Sequence, residues 1–130
     1  MDRKELETFI FNAYDASPEY LWEIYPTCAV FRHKGNRKWF AVIMTVSKSK
    51  LGIKDDGKID IVNVKCADEI IDSMWQERGI YPAYHMSKSH WLSVSLDGSV
   101  EKDTVEWLLD ISYGLTKPKI KKRKENKNGI

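Results

Sequence analysis

The sequence has few of the features that mark exported or membrane-spanning proteins. Its two cysteines, Cys28 and Cys66, lie far apart and without CxxC spacing, so both are predicted to be reduced and buried rather than joined in a disulfide. No apolar run approaches the ~18 residues that would span a bilayer. The charged start MDRKELETF lacks the apolar core of a secretory signal. These absences predict a cytoplasmic protein with no membrane contact.

The composition is that of a globular protein. Apolar residues make up 42% and charged residues 31% of the 130 residues, and there are five tryptophans, whereas disordered chains are poor in large apolar residues. This length suits one domain with one core. We therefore predict a folded domain over residues 1–117. The remaining residues 118–130, with the sequence PKIKKRKENKNGI, are predicted to be a disordered basic tail.

The net charge of +2 conceals a strong segregation of charge along the chain. Residues 1–30 carry a net charge of −4 and residues 59–116 a net charge of −6, whereas residues 31–58 carry +6. Residues 117–130 carry a further +6. Positive charge is thus confined to one internal segment and the C-terminal tail, while the rest of the domain is acidic.

Strand-like patterns occupy the middle of the chain. Two β-rich runs, 28–33 and 38–46, are separated by the turn sequence KGNR at 34–37, which predicts a hairpin. A third strand is predicted at 58–66, after the turn sequence KDDG. Strict alternation at 91–96 predicts one more half-buried strand.

Helical patterns flank these strands. Apolar residues recur at helical spacing in 3–15, after Asp2, which has a glutamate three residues on and predicts a capping box. A second helix is predicted at 68–78 with Gly79 as its C′ residue, and a third begins at Ser99 as N-cap. The order α-β-β-β-α-β-α predicts an α+β domain with one antiparallel sheet and helices packed on one face.

Several long motifs resemble the bacterial YjbR/MmcQ family: AVFRHKGNRKWFAVIM at 29–44, IVNVKC at 61–66, GIYPAYHMSKSHW at 79–91, LDGSV at 96–100 and LLDISYGLTK at 108–117. The resemblance runs from about residue 1 to 117. It implies a compact α+β domain of CyaY-like arrangement and a DNA-binding protein with a double-wing motif. It implies no catalytic residues.

The predicted strands 38–46 and 58–66 form a second hairpin. The charge pattern agrees with such wings, because the tips of these two hairpins contain all eight basic residues of the one positive internal segment. Lysine and arginine on phosphates gain by releasing condensed counterions. His33, in the same hairpin, would add charge only below its ordinary pKa of ~6.5. The predicted nucleic-acid contacts, with Lys88 added from a later loop, are Arg32, Lys34, Arg37, Lys38, Lys48, Lys50, Lys54, Lys58 and Lys88.

Metal binding and catalysis find little support in the sequence. His85 and His90 are five residues apart, which does not place them on one helix face, and a nucleophilic pair of Cys66 with His85 would need an orienting group that nothing marks. No metal, cofactor or enzymatic activity is predicted. The aromatic stretch 79–91 is instead predicted to be a packing loop, because its large side chains carry polar groups that need partners when buried.

Two functional hypotheses remain open. The first is a non-enzymatic DNA-binding module, with the first hairpin as its main contact. The second is a protein-interaction or small-ligand module that binds through an exposed sheet face or the YPAYH loop.

Overall fold

The structure is a computed structural model that describes residues 1–119. The elements in chain order are α1 (Arg3–Tyr14), β1 (Ala29–Arg32), β2 (Trp39–Ser47), a 3-10 helix (Lys48–Leu51), β3 (Lys58–Lys65), α2 (Ile71–Met74), β4 (Ile80–Pro82), β5 (Trp91–Ser95) and α3 (Lys102–Thr116). The predicted tail, 118–130, lies outside the described residues from position 120 onward.

The five strands form one antiparallel sheet in the order β1-β2-β3-β5-β4. All three helices contribute to a single core against one face of this sheet, which we call the helix face. The predicted fold class, α+β with one antiparallel sheet and helices on one face, is therefore confirmed. No helix within residues 1–119 combines the length and the apolar character needed to cross a membrane.

The main core explains why α1 and α3 form. Leu6 and Ile10 of α1 and Leu108 and Leu109 of α3 are fully buried against the sheet, and burying each such side chain stabilises the fold by about 1.5–3 kcal/mol. The predicted capping box of α1 is present, since the Asp2 side chain accepts from the backbone N–H of Glu5 and the Glu5 side chain accepts in return. Both cysteines are buried and unpaired, as predicted.

The opposite face of the sheet, which we call the outer face, is covered by loops rather than helices. Residues 18–26, for which the sequence predicts neither helix nor strand, start with a bridge in which Glu19 and Val30 exchange two backbone hydrogen bonds of 2.9 Å. Trp22 then packs over Val30 and Val42. At the other side, residues 83–86 lie over β3 and β5, because buried Asn63 donates to the carbonyl of Tyr84.

Three local predictions need correction. The stretch 79–91 contains an additional strand, β4, so it is not a loop throughout. The helix predicted at 68–78 has α-helical geometry only over Ile71–Met74, because flanking backbone bonds run from residue i+3 to residue i. Gly79 accordingly leads into β4 and is not a C′ residue, although its φ of 83° is positive.

The start of α3 also differs. Its N-cap is Glu101, without a side-chain hydrogen bond. Ser99 is not the cap, because its backbone N–H and its hydroxyl both donate to the carboxylate of Asp97 in the preceding turn. The short polar side chain therefore stabilises the turn instead of the helix.

Candidate functional site

The first hairpin has a tight, basic tip. The backbone N–H of His33 donates to the carbonyl of Lys38 at 2.9 Å and that of Arg37 to the carbonyl of His33 at 3.1 Å. Arg37 takes a left-handed conformation with φ of 64°, and the amide oxygen of Asn36 accepts from the backbone of Lys38. The turn leaves Lys34, Arg37 and Lys38 exposed.

Two carboxylates lie beside this tip. Lys34 Nζ is 2.7 Å from Asp15 Oδ2, and this hydrogen bond lowers the pKa of Asp15. Glu19, held by its bridge to β1, lies 3.2 Å from Arg32 Nε and 3.4 Å from Arg37 Nη2, although the contact with Arg32 is not aligned for a hydrogen bond. An incoming phosphate would therefore compete with two carboxylates for these cations.

The same tip packs against the C-terminus of α3. His33 Nε2 lies 3.1 Å from the carbonyl of Tyr113 and 2.9 Å from Thr116 Oγ1. Asn36 donates to the carbonyl of Thr116 at 2.9 Å. A Cβ built on Gly35 would come within 2.8 Å of Pro118 Cγ, so the chain leaves α3 directly beside the hairpin.

The first hairpin and the base of the tail therefore form one basic surface, which we call the tip–tail end. The sequence treats these segments as separate, because contacts between residues about 80 positions apart leave no local signal. Its exposed or half-buried cations are Arg32, Lys34, Arg37, Lys38, Lys117 and Lys119.

His33 takes no part in this positive charge. The ring is buried, and burial lowers its pKa, with its hydrogen bond to the Tyr113 carbonyl acting in the opposite direction. The predicted gain of charge at pH values just below 6.5 is therefore corrected to a structural role. His33 joins the hairpin to α3 as a neutral side chain.

The second hairpin tip lies at the other end of the sheet. β2 runs for nine residues between the two turns, which separates them by about 30 Å along the strand. Because consecutive turns of an antiparallel meander alternate between its ends, the eight predicted wing residues do not form one continuous surface. Within the second tip, Lys48 Nζ also pairs with Asp55 at 3.2 Å. The group at this end consists of Lys48, Lys50, Lys54 and Lys58.

Lys88 lies near the first end of the sheet rather than the second. Lys88 precedes β5, and the first residue of β5 pairs with Lys65 at the end of β3. That end of β3 lies beside the start of β2, which follows the first hairpin tip. Lys88 is exposed, and its ammonium donates to the carbonyl of Ala83 at 3.0 Å. It therefore also braces the loop it belongs to.

The considered catalytic pair is not assembled. Cys66 belongs to the core on the helix face, and burial raises the pKa of its thiol. His85 instead lines a cavity on the outer face. In residues 1–119, no three His, Cys, Asp or Glu side chains are grouped so that they could hold a metal ion.

That cavity is the feature of the outer face that the sequence did not reveal. It has a volume of about 360 Å³ and lies over β2 and β3, between two loops. Its lining combines residues that are up to 64 positions apart in the chain. These are Trp22, Tyr25, Cys28, Trp39, Val42, Met44, Asn63, His85 and Met86.

The fold defines an α+β protein with loops covering the outer face of one antiparallel sheet, and comparison with known proteins identifies its family. A sequence profile of the YjbR family matches residues 11–115. The uncharacterized protein YyaQ of Bacillus subtilis (strain 168) is 39% identical over 117 residues, which cover 90% of this chain and 99% of that protein. The chain belongs to the YjbR family.

Other relatives agree with this assignment. The uncharacterized protein YjbR of Escherichia coli (strain K12) is 34% identical over 53 residues, covering 40% of this chain and 45% of that protein. The crystal structure of a Pseudomonas syringae protein is similar with a TM-score of 0.88 and 38% identity, covering 90% of this chain and all of that one (100%). A Deinococcus radiodurans protein, at 22% identity, shares the fold with a TM-score of 0.68 over 99% of this chain and 88% of its own.

Proposed function

We propose that this YjbR-family protein is a non-enzymatic DNA-binding protein that contacts the phosphate backbone through its tip–tail end. The observation that carries the proposal is the convergence of the first hairpin tip with the point where the basic C-terminal segment leaves the domain. Neither segment alone is unusual, since exposed turns and chain ends are commonly charged.

The charge of this end and of the segment that continues from it is large. Arg32, the three tip cations and residues 117–130 contain eleven basic residues; with Glu125 and the neighbouring Asp15 and Glu19 as the three acidic ones, the net charge is +8. The rest of the chain contains ten basic and sixteen acidic residues, a net charge of −6. Such polarity attracts a polyanion to the tip–tail end.

Local carboxylates set the strength of this contact. Asp15 and Glu19 pair with Lys34, Arg32 and Arg37, so phosphates must displace or share these partners. Lys38 has no ion pair with any residue in 1–119, which makes it the most available of the tip cations. We expect moderate affinity with steep salt dependence and little sequence preference, because phosphate contacts carry no sequence information.

This proposal replaces two wings on one duplex with a single wing and the tail. The second tip lies about 30 Å away at the opposite end of the sheet, so its cations are not part of the tip–tail end and are assigned no contact here. They therefore provide a matched control. Lys50 and Lys54 are exposed, and their reversal to glutamate changes the total charge by the same amount as reversal of Arg37 and Lys38.

The test is fluorescence anisotropy with a duplex DNA over a series of salt concentrations. We expect Arg37→Glu with Lys38→Glu to reduce the slope of log affinity against log salt by about 2, since each lost phosphate contact removes ~0.9. Truncation after Lys119, which keeps every described residue, should reduce the slope further. Lys50→Glu with Lys54→Glu should leave the slope unchanged.

Three results would contradict the proposal. Absence of salt-dependent binding by the full chain would remove DNA as a ligand. Equal reductions of the salt slope in the two double variants would show that binding depends on total charge and not on the position of the cations. Complete loss on truncation alone, with no effect of the Arg37 and Lys38 changes, would confine binding to the tail. Thermal unfolding of each variant checks that the domain still folds.

A further inference from the structure

The cavity on the outer face is built from two segments that are far apart in the chain. One wall comes from residues 22–28, which cross the outer face before β1. The opposite wall comes from His85 and Met86, in the loop between β4 and β5. Val42 and Met44 of β2 form the floor between them. The helices, on the opposite face, take no part.

Two tryptophans make the aromatic part of the lining. The rings of Trp22 and Trp39 meet edge to face, with centroids 5.8 Å apart and an interplanar angle of 85°. Both side chains are only partly buried, so part of each ring remains available to a ligand. Trp39, the first residue of β2, packs against Val30 and Val42 and lies at the edge of this cavity.

The position of the other wall is fixed by buried hydrogen bonds. Asn63 is fully buried, and its amide group donates to the carbonyl of Tyr84 at 3.0 Å and to the sulfur of Met44 at 3.6 Å. Its oxygen accepts from Ser93, whose hydroxyl in turn accepts from the backbone of Tyr84. His85 follows with a positive φ of 64° and its ring 4.0 Å from that of Tyr84.

The lining is mainly apolar, and besides Asn63 its groups able to form hydrogen bonds belong to Tyr25, His85 and the two tryptophans. Both amide hydrogens of Asn63 already have acceptors, and no carboxylate, ammonium or guanidinium group lines the cavity. Burial raises the pKa of the Cys28 thiol, so it is not a thiolate at neutral pH. A charged ligand would lose its hydration here without a carboxylate, ammonium or guanidinium group to compensate for it.

We propose that this cavity binds a flat, uncharged aromatic molecule with few polar atoms. A volume of about 360 Å³ lies within the range of small-molecule sites, which are concave and mostly apolar. Aromatic rings gain from offset or edge-to-face contact with tryptophan, and the sulfurs of Met44, Met86 and Cys28 are favourable neighbours for a ring. The ligand thus matches the cavity in its shape and in having no charge.

The site is independent of the DNA contact proposed above. That contact uses cations on the hairpin tip, whereas the cavity uses apolar groups on the sheet face. Charge reversal at Arg37 and Lys38 should therefore leave the cavity functional. Truncation of Trp22 should likewise leave the salt dependence of DNA binding unchanged.

The experiment is a titration of the full chain with 2-naphthol, followed by ¹H–¹⁵N correlation spectra in which the indole N–H groups report individually. We expect saturable shifts at Trp22 and Trp39 and none at exposed Trp107, which lies on α3. Cyclohexanol, which lacks aromatic character, and naphthalene-2-sulfonate, which adds a charge to the same ring system, should each bind at least about fivefold more weakly.

Variants on both walls localise the effect. Trp22→Ala and, on the opposite wall, Met86→Ala should each weaken 2-naphthol binding by about five- to tenfold. Trp107→Ala, which removes an equally large ring from a remote surface, should leave binding unchanged. Met86→Ala and the comparison of probes on the unmodified chain keep the test decisive if Trp22→Ala does not fold.

Several outcomes would overturn the proposal. Unsaturable shifts spread over all five tryptophans would indicate general apolar adsorption. Equal affinity for naphthalene-2-sulfonate would assign binding to the basic surface. Indole shifts of Trp22 and Trp39 that depend on protein concentration would assign the cavity to a second copy of the chain, and shifts on truncation after Lys119 would assign it to the C-terminal segment.

Discussion

Replacement of Gly79 by alanine tests how tightly the entry to β4 is packed. The φ of Gly79 is 83°, a conformation that costs an L-residue about 1–2 kcal/mol. An added Cβ would also lie 2.7 Å from Val100 Cγ2, 2.8 Å from Ser95 Oγ and 2.9 Å from Ser99 Cβ. Overpacking of this kind costs typically about 1–3 kcal/mol. We therefore expect Gly79→Ala to lower the free energy of unfolding by about 2–5 kcal/mol.

Gly98 provides the matched control for this prediction. Its φ is 92°, yet an added Cβ would meet no atom within 4 Å. Gly98→Ala should therefore cost only the backbone strain, about 1–2 kcal/mol. Urea unfolding followed by tryptophan fluorescence measures both variants, with an unchanged slope showing that stability alone has changed. Equal losses of stability in the two variants would refute the packing argument.

Two further predictions concern buried polar groups. Because burial lowers the pKa of His33 in the folded state, the unfolded chain takes up the proton first, so stability should be full above the unfolded pKa of ~6.5 and fall as the pH drops below it. Asn63→Ala should lower the free energy of unfolding by about 2–3 kcal/mol, since it leaves the buried carbonyl of Tyr84 and the hydroxyl of Ser93 without their partner.

Controls separate these effects from general destabilisation. His33→Gln keeps a side-chain N–H for Tyr113 and Thr116 but cannot titrate. The free energy of unfolding of this variant, measured between pH 5 and 7, should therefore lose the part of its pH dependence that His33 contributes. Lys117, whose charge also lowers the pKa of His33, stays unchanged in both proteins. An identical pH profile in the variant would contradict the assignment. The control for Asn63 is Asn12→Ala, which changes an exposed asparagine and should leave the free energy of unfolding almost unchanged. An equally small effect of Asn63→Ala would contradict the predicted role of the buried amide.

The main elements were predictable because their signals are local. The capping box of α1 depends on residues three positions apart, and the first hairpin on a turn sequence between two apolar runs. The length of α2 was overestimated. Ile71 and Met74 face the core from a single α-helical turn with irregular flanks, and their spacing in the sequence would be the same in a long helix. β4 was missed because three residues that include a proline are too short for a periodic pattern.

The candidate sites were less predictable. The cations of the first tip were identified from composition alone, but their pairing with Asp15 and Glu19 depends on how residues 15–19 cross the end of the hairpin. The role of His33 was misjudged, since nothing in a turn sequence shows that α3 buries the ring. The aromatic stretch 79–91 packs in part as predicted, because the Tyr84 side chain contacts the buried cluster of Val46, Ile59 and Ile61.

The sequence by itself determined the fold class and the segregation of charge, because alternation, helical spacing and charge runs are properties of neighbouring residues. Only the tertiary structure decided how these segments combine. The meander places the two basic turns at opposite ends of the sheet, and the packing of α3 brings the C-terminal segment to the first turn. The outer-face cavity exists because residues 22–28 and 85–86 meet across β2. Such contacts between distant residues depend on how the elements pack, which no local pattern encodes.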